Sequence, residues 1–312
     1  MPITIFEKER RKNYIGSSDV AALVGMDKFK TSFDVFLEKT GKVVKEDIGE
    51  PAKAGTVFEE ALLNYTQEQL GKIKRNQRRA IEGTMIRTSI DAIVVESGQP
   101  VEAKTAGLYG PLTEDWGDTG TDQVPDRVIC QAQIHMKALE QELCWVSTFL
   151  GGRGFGMYQV PRNEQLIAVL LEAAQDFWMK HVIPDIPPTG SIPSLNLIRR
   201  VIRTPNKIVV FGPEQFTTFD NWQAAKALAG DAEKYADTLK AQVLSYLGDA
   251  ECADMGESGA LTYLESNRKG YEVKATTVRT LRVLPKGLPE PLKKMLLEQE
   301  KSSNNSENTL DK

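Results

Sequence analysis

The sequence contains few of the residues that several common enzyme classes require. Only two histidines, His135 and His181, occur among its 312 residues, which excludes a site built from three or more histidines. His135 is interpreted as a packed or surface side chain rather than a ligand. The three cysteines, Cys130, Cys144 and Cys252, are an odd number without close spacing, which argues against a disulfide framework or a four-cysteine zinc site. Any hydrolytic chemistry is therefore expected to depend on carboxylates.

Long hydrophobic runs and net positive charge are also missing. No stretch approaches the roughly 18 apolar residues that a membrane span needs, and the first residues lack the apolar run of a signal peptide. Together with the unpaired cysteines, this predicts a cytoplasmic protein with no membrane partner. The net charge is −4, yet segment 71–90 holds six basic residues and one acid, Glu82. This segment is interpreted either as a solvated basic surface or as a contact for an anionic partner.

The length and the order of sequence patterns predict an α/β domain followed by a smaller module. Residues 1–185 show capped helical segments, then alternating strands, then a helix over 164–181. Residues 186–212 begin with a run rich in proline and are predicted to be a linker. Residues 213–297 are predicted to form a helical arm with a small strand pair, and 298–312 a disordered tail. Within the arm, the helix is predicted over 213–247 and strand runs around 261–263 and over 278–283.

Two segments of the first domain, 86–94 and 101–105, alternate polar and apolar residues with the two-residue period of a β-strand. A turn separates them, so they are predicted to form a hairpin in which Asp91, Glu102 and Lys104 converge. Carboxylates are the oxygen ligands that Mg²⁺ prefers, and a lysine can orient or help deprotonate a water. This combination suits phosphodiester hydrolysis, although charged strands that face solvent produce the same spacing.

Five motifs occur in a defined order over about residues 10–180. They are R-K-N-Y-I-G-S-S-D at 11–19, G-T-V-F-E at 55–59, S-I-D at 89–91, E-A-K at 102–104 and Q-A-Q at 131–133. This order resembles the PD-(D/E)xK nucleases, specifically the family of YqaJ-like viral recombinases and phage lambda exonuclease. The resemblance implies a restriction-endonuclease-like α/β fold, with a mixed central sheet flanked by helices and an added C-terminal helical and small β module.

The resemblance also implies which residues form the metal site. Asp91 and Glu102 would be metal ligands, the main-chain carbonyl of Ala103 would complete a site, and Lys104 would act on the nucleophilic water. Glu59 would lie at a second metal or at its water. The implied cofactor is Mg²⁺ at a two-metal site, with Mn²⁺ able to substitute.

A pocket for a 5′-terminal phosphate is implied at Arg11, Ser18, Ser89 and Gln131. A guanidinium binds phosphate through two hydrogen bonds, and hydroxyl and amide groups can donate the others. Simpler roles stay open for some of these residues. Ser18 is also a good helix cap, Gln131 could face water, and Glu59 could belong to a solvated helix face.

The function implied by the resemblance is Mg²⁺-dependent hydrolysis of double-stranded DNA from a 5′ end. The products would be 5′-mononucleotides and 3′ single-stranded tails for phage-type recombination by strand annealing, in a bacterial host or encoded by a prophage. The implied partners are double-stranded DNA ends, a single-strand annealing protein and, as in the trimeric lambda-type relatives, further copies of the chain. The alternatives are an endonuclease or single-strand nuclease with the same site, and a non-catalytic DNA-end-binding recombination partner.

Overall fold

The structure is a computed structural model. The structure describes residues 11–44, 50–108, 114, 116–205, 207–265, 294 and 298. The described residues divide into two units, with the division between Arg203 and Thr204.

A mixed six-stranded sheet forms the centre of the first unit and confirms the predicted α/β class. Its strands are β1 (Ile15–Gly16), β2 (Ile73–Ala80), β3 (Ile86–Val94), β4 (Pro100–Ala106), β5 (Leu143–Leu150) and β6 (Gly154–Pro161). Their order is β1-β3-β4-β5-β6, and β2 also pairs with β3. The β1–β3 and β4–β5 pairs are parallel, and the other pairs are antiparallel.

Helices flank the sheet, as predicted. They are α1 (Val20–Leu23), α2 (Ser32–Lys39), α3 (Glu50–Leu70), α4 (Asp126–Leu139), α5 (Glu164–Phe177) and α6 (Leu195–Ile198). Val101 of β4 packs with Leu63 of α3. The next residue, Glu102, contacts His135 of α4. Because successive residues of a strand point to opposite faces, α3 and α4 cover opposite faces of β4.

The predicted hairpin is present as β3 and β4. Ala92 pairs with Val101 and Ile93 with Pro100. Gly98 takes a positive φ of 74° in the turn, a conformation that glycine adopts without steric cost. The basic segment forms β2, which pairs with β3 along almost its whole length and therefore presents its cations from a strand rather than from a loop.

The segment predicted as a linker, 186–212, contributes to the core of the first unit. Leu197 of α6 is buried in the same apolar cluster as Phe36. Val201 pairs with Val43 in an antiparallel bridge. The sequence does not indicate these contacts, because a four-residue helix is too short to show a periodic pattern.

The second unit begins with a long helix, α7 (Pro213–Leu247), at the bounds that the sequence predicts. Its start is capped by Gln215, whose Oε1 accepts a hydrogen bond from the Gly212 N–H at 3.0 Å. Gly248, with φ 63°, follows its last residue. No residue of α7 is buried.

A two-stranded antiparallel sheet follows α7, formed by β7 (Cys252–Asp254) and β8 (Ala260–Thr262). β8 overlaps the strand run predicted around 261–263. The run predicted over 278–283 lies outside the described residues, as does the tail predicted over 298–312 apart from Glu298. No helix in the described part of the chain is both long and apolar enough to cross a membrane.

Candidate active site

Asp91 lies where β3 and β4 separate. The last main-chain pair between the two strands joins Ala92 and Val101. At the next position the side chain of Asp91, rather than its main chain, contacts β4. Its Oδ2 accepts a hydrogen bond from the Ala103 N–H at 2.8 Å. Nearer the start of β3, Ile86 and Arg87 pair with β1. The divergence of the strands therefore fixes this carboxylate between them.

Glu102 and Lys104 lie on one face of β4, and both are held from several directions. Glu102 is only 3% exposed. Its Oε1 lies 2.7 Å from Lys104 Nζ, and its Oε2 lies 2.7 Å from His135 Nε2. Lys104 Nζ also donates a hydrogen bond to Gln131 Oε1 at 3.0 Å. Helix α4 thus supplies a partner to each of the two charged groups.

The pKa values of the two carboxyl groups shift in opposite directions. Burial by itself would raise the pKa of Glu102, but the Lys104 ammonium and the contact with His135 outweigh it and lower the pKa to about 2. For Asp91, burial and the negative charge of Glu102 raise the pKa well above its ordinary value.

The three hairpin residues line one cavity of about 350 Å³. Glu59 of α3 and Arg127 of α4 line the same cavity. Arg127 is held by Glu114, whose two carboxylate oxygens accept hydrogen bonds from Nε at 2.5 Å and from Nη2 at 2.7 Å. A carboxylate from α3 and a guanidinium from α4 thus meet the hairpin residues at this cavity.

The oxygen donors of the cavity fit a hard divalent cation. Such a cation beside Asp91 and Glu102 would offset the burial and the repulsion that raise the pKa of Asp91. In the described part of the chain, no group of three or more His, Cys, Asp or Glu side chains is already arranged to hold a metal ion. Mg²⁺ commonly uses only one or two carboxylates and completes its shell with water and substrate phosphate oxygens. Two carboxylates beside the Ala103 main chain match that requirement.

The four predicted phosphate-binding residues fall into different surroundings. Arg11 Nη2 donates a hydrogen bond to Ser18 Oγ at 3.3 Å, so these two lie together. Gln131 is buried and binds Lys104 in the cavity. Ser89 is exposed on β3, and the side chain that turns into the interior is its neighbour Thr88.

Asp19 anchors the loop that carries Arg11 and Ser18. It precedes α1, but its side chain makes no capping bond to that helix. Its carboxylate instead binds Lys30 at 2.8 Å, Lys39 at 2.6 Å and the Gly16 N–H at 3.0 Å. Burial would raise the pKa of Asp19, but the two lysines lower it far below its ordinary value.

The sequence assigns no role to Arg127, which lines the cavity, or to His135, which contacts Glu102. The signal that could have found them is their four-residue spacing from Gln131, because residues 127, 131 and 135 lie on one face of a helix. The structure turns that face toward β4. His135, which the sequence suggested was a packed or surface side chain, is buried against Glu102.

Comparison with known proteins shows which family the residues around this site match. Residues 8–140 match the family described as the YqaJ-like viral recombinase domain. The resemblance seen in the sequence motifs is therefore confirmed, and the candidate residues from Arg11 to His135 all lie within the matched segment.

Similarity to one relative extends beyond residues 8–140. The chain is 26% identical over 258 residues to the uncharacterized protein YqaJ of Bacillus subtilis (strain 168), which covers 80% of this chain and 79% of that protein. Because this share is longer than the first unit, the similarity continues into the second.

Two solved structures are similar to this chain at low identity. One is an alkaline exonuclease, LHK-Exo, from Laribacter hongkongensis, with 15% identity, a TM-score of 0.45, and coverage of 59% of this chain and 94% of that one. The other is a phage related exonuclease from Haemophilus somnus 129PT, with 14% identity, a TM-score of 0.41, and coverage of 55% and 96%.

Proposed function

We propose that the first unit of the chain is a metal-dependent nuclease that hydrolyses DNA with Mg²⁺ as its cofactor. The observation that carries the proposal is the convergence of Asp91, Glu102 and Lys104 on one cavity of about 350 Å³. Two carboxylates and a lysine supply what phosphodiester hydrolysis needs, namely oxygen ligands for a cation and a donor that positions water. A binding protein without catalysis would not need these three groups together.

The side chains divide the work of hydrolysis between them. Asp91 and Glu102 would hold the cation, with Glu59 at a second ion or at its water. Lys104 Nζ is fixed between Glu102 and Gln131, and from there it orients the attacking water toward the phosphorus. Bound Mg²⁺ would supply Lewis-acid stabilisation of the charge that develops on the phosphate oxygens.

Strand β2 supports DNA as the substrate. Three cations of β2 are exposed, namely Lys74, Arg78 and Arg79, and so is Lys72, which immediately precedes the strand. β2 pairs with the strand that carries Asp91, and the register places Arg78 opposite Ser89. Exposed cations on the strand next to β3 can attract the phosphate backbone irrespective of base sequence.

The finer proposal is a 5′-to-3′ exonuclease on double-stranded DNA. It would release 5′-mononucleotides and leave 3′ single-stranded tails, which a single-strand annealing protein would use in phage-type recombination. The contact between Arg11 and Ser18 supports it, since a guanidinium beside a hydroxyl suits a terminal phosphate. Assembly into a homo-oligomer, as in the trimeric lambda-type relatives, is part of the same proposal.

Incubation of purified full-length protein with DNA of different topology tests this proposal. We expect linear duplex to be degraded to 5′-mononucleotides only when Mg²⁺ or Mn²⁺ is added, and closed circular duplex to stay intact. Cleavage of the closed circle would make the protein an endonuclease, and a preference for single strands would make it a single-strand nuclease. Binding of duplex ends without any product in either metal would reject the nuclease proposal.

Arg11→Ala is expected to lower the preference for 5′-phosphorylated over 5′-hydroxyl ends by about tenfold, because one charge-assisted contact to the phosphate is lost. The measurement is the ratio of initial rates on the two kinds of linear duplex. Arg11→Lys should keep part of the preference, since it retains the charge but not the planar fork. Lys12→Ala is the matched neighbouring control and should leave the ratio unchanged. An unaltered ratio in Arg11→Ala would reject the terminal phosphate site.

A further inference from the structure

A buried chain of polar contacts connects the loop before α1 to Glu102. Ser17 Oγ lies 2.9 Å from Thr88 Oγ1, and Thr88 Oγ1 lies 2.6 Å from His135 Nδ1. His135 Nε2 then lies 2.7 Å from Glu102 Oε2. All four residues are buried, and His135 is completely inaccessible to solvent. Side chains from β3, α4 and β4 thus form one continuous network.

The chemistry of these groups fixes the direction of the contact at Glu102. A carboxylate can only accept, so His135 donates its Nε2–H to Glu102 Oε2. In the tautomer with its hydrogen on Nε2, Nδ1 can accept from the Thr88 hydroxyl. Hydroxyl hydrogens rotate to suit their partners, and the Ser17 hydroxyl can donate to the Thr88 oxygen. Every polar atom of the imidazole ring is therefore satisfied in one orientation.

We propose that His135 is a positioning residue that holds the Glu102 carboxylate in the orientation needed to bind the metal. The inference rests on the proposed function. His135 fixes Oε2 from the α4 side of the sheet, so the rotation of the carboxylate is set before a cation or substrate arrives. Lys104 contacts the other oxygen, Oε1, and lines the cavity. Groups that orient ligands in this way commonly change metal affinity or activity by about 10–100-fold when they are removed.

His135→Leu tests the proposal, because leucine fills the site but cannot donate to Glu102. We expect Mn²⁺ affinity, measured by calorimetric titration of the DNA-free full chain, to fall by about 10–100-fold. The kcat on linear duplex at a fixed subsaturating Mn²⁺ concentration should fall similarly, while duplex affinity in EDTA stays within about twofold. His135→Gln should recover most of the loss, because its side-chain amide can donate in place of Nε2–H.

Two further variants complete the test. His181→Leu removes the other histidine, whose Nδ1 contacts the Ile186 carbonyl away from the cavity, and should leave all readouts unchanged. Thr88→Val keeps His135 but removes its far anchor, so a smaller loss of Mn²⁺ affinity, about threefold to tenfold, is expected.

The outcomes separate this inference from the proposed function. Wild-type Mn²⁺ affinity and kcat in His135→Leu would overturn the positioning role, and so would an equal loss in His135→Gln. If His135→Leu does not fold, unchanged Mn²⁺ affinity in Thr88→Val overturns it instead. A wild-type chain that neither binds Mn²⁺ nor cleaves DNA would reject the nuclease proposal itself. Cleavage by the wild type with unchanged His135 variants would reject only the inference.

Discussion

Replacement of Lys104 by alanine is expected to lower the rate of DNA cleavage by about 10³-fold or more, because the group that orients the water is lost. Asp91→Asn should have an effect at least as large, since an amide is a poor ligand for Mg²⁺ compared with a carboxylate. The side-chain amide oxygen that this substitution introduces can still accept from the Ala103 N–H, so the variant should keep the hairpin intact. Single-turnover cleavage of linear duplex measures both effects.

Duplex binding separates loss of chemistry from loss of substrate. In EDTA, both variants should bind linear duplex within about threefold of the wild type, because the exposed cations of β2 are unchanged. Lys180→Ala removes an exposed lysine from outside the cavity and serves as the charge-matched control for Lys104→Ala. Nuclease activity near the wild-type level in either Asp91→Asn or Lys104→Ala would show that these groups do not perform the reaction.

Asp19→Asn is expected to lower the free energy of unfolding by about 3 kcal/mol, because it removes one partner of a buried ionic network. Asp19 is 4% exposed, and the Lys39 side chain that it binds is 5% exposed. The substitution would leave that ammonium buried without its carboxylate. Urea unfolding of the full chain at neutral pH measures the change. Asp176→Asn breaks an exposed pair with Lys180 and should cost no more than about 0.5 kcal/mol.

The same network predicts how stability depends on pH. The pKa of Asp19 is lowered in the folded protein. The stabilisation that this carboxylate provides is therefore complete above its unfolded-state pKa of about 4. The contribution is then lost progressively as the pH falls below that value. Wild-type and Asp19→Asn stabilities should therefore differ most at neutral pH and approach each other in acid. A constant difference between about pH 7 and pH 3 would contradict the role assigned to this carboxylate.

The sequence predicts those features that depend on short-range periodicity. The two-residue alternation around Asp91 and Glu102 predicts the hairpin because only one register places the apolar residues of both strands on a common face. The pattern from Pro213 to Leu247 predicts a helix with the observed bounds, since a proline starts it and a glycine follows its end. Both features depend on neighbours in the chain and need no knowledge of the fold.

Contacts between distant segments are not predictable in this way. Ser89 and Thr88 are both small hydroxyl residues, and the placement of β3 against α4 decides that Thr88 is the one that reaches His135. Asp19 is held by two lysines, Lys30 and Lys39, that lie further along the chain. No local sequence pattern connects either lysine to Asp19.

The amino-acid order by itself therefore determined the hairpin, the long helix and the trio of Asp91, Glu102 and Lys104 as neighbours, because alternation and helical period are properties of adjacent residues. Only the tertiary structure decided which groups surround that trio. The rotation of α4 over the sheet brings Arg127 to the cavity, Gln131 to Lys104 and His135 to Glu102. That rotation is set by apolar packing over the whole domain.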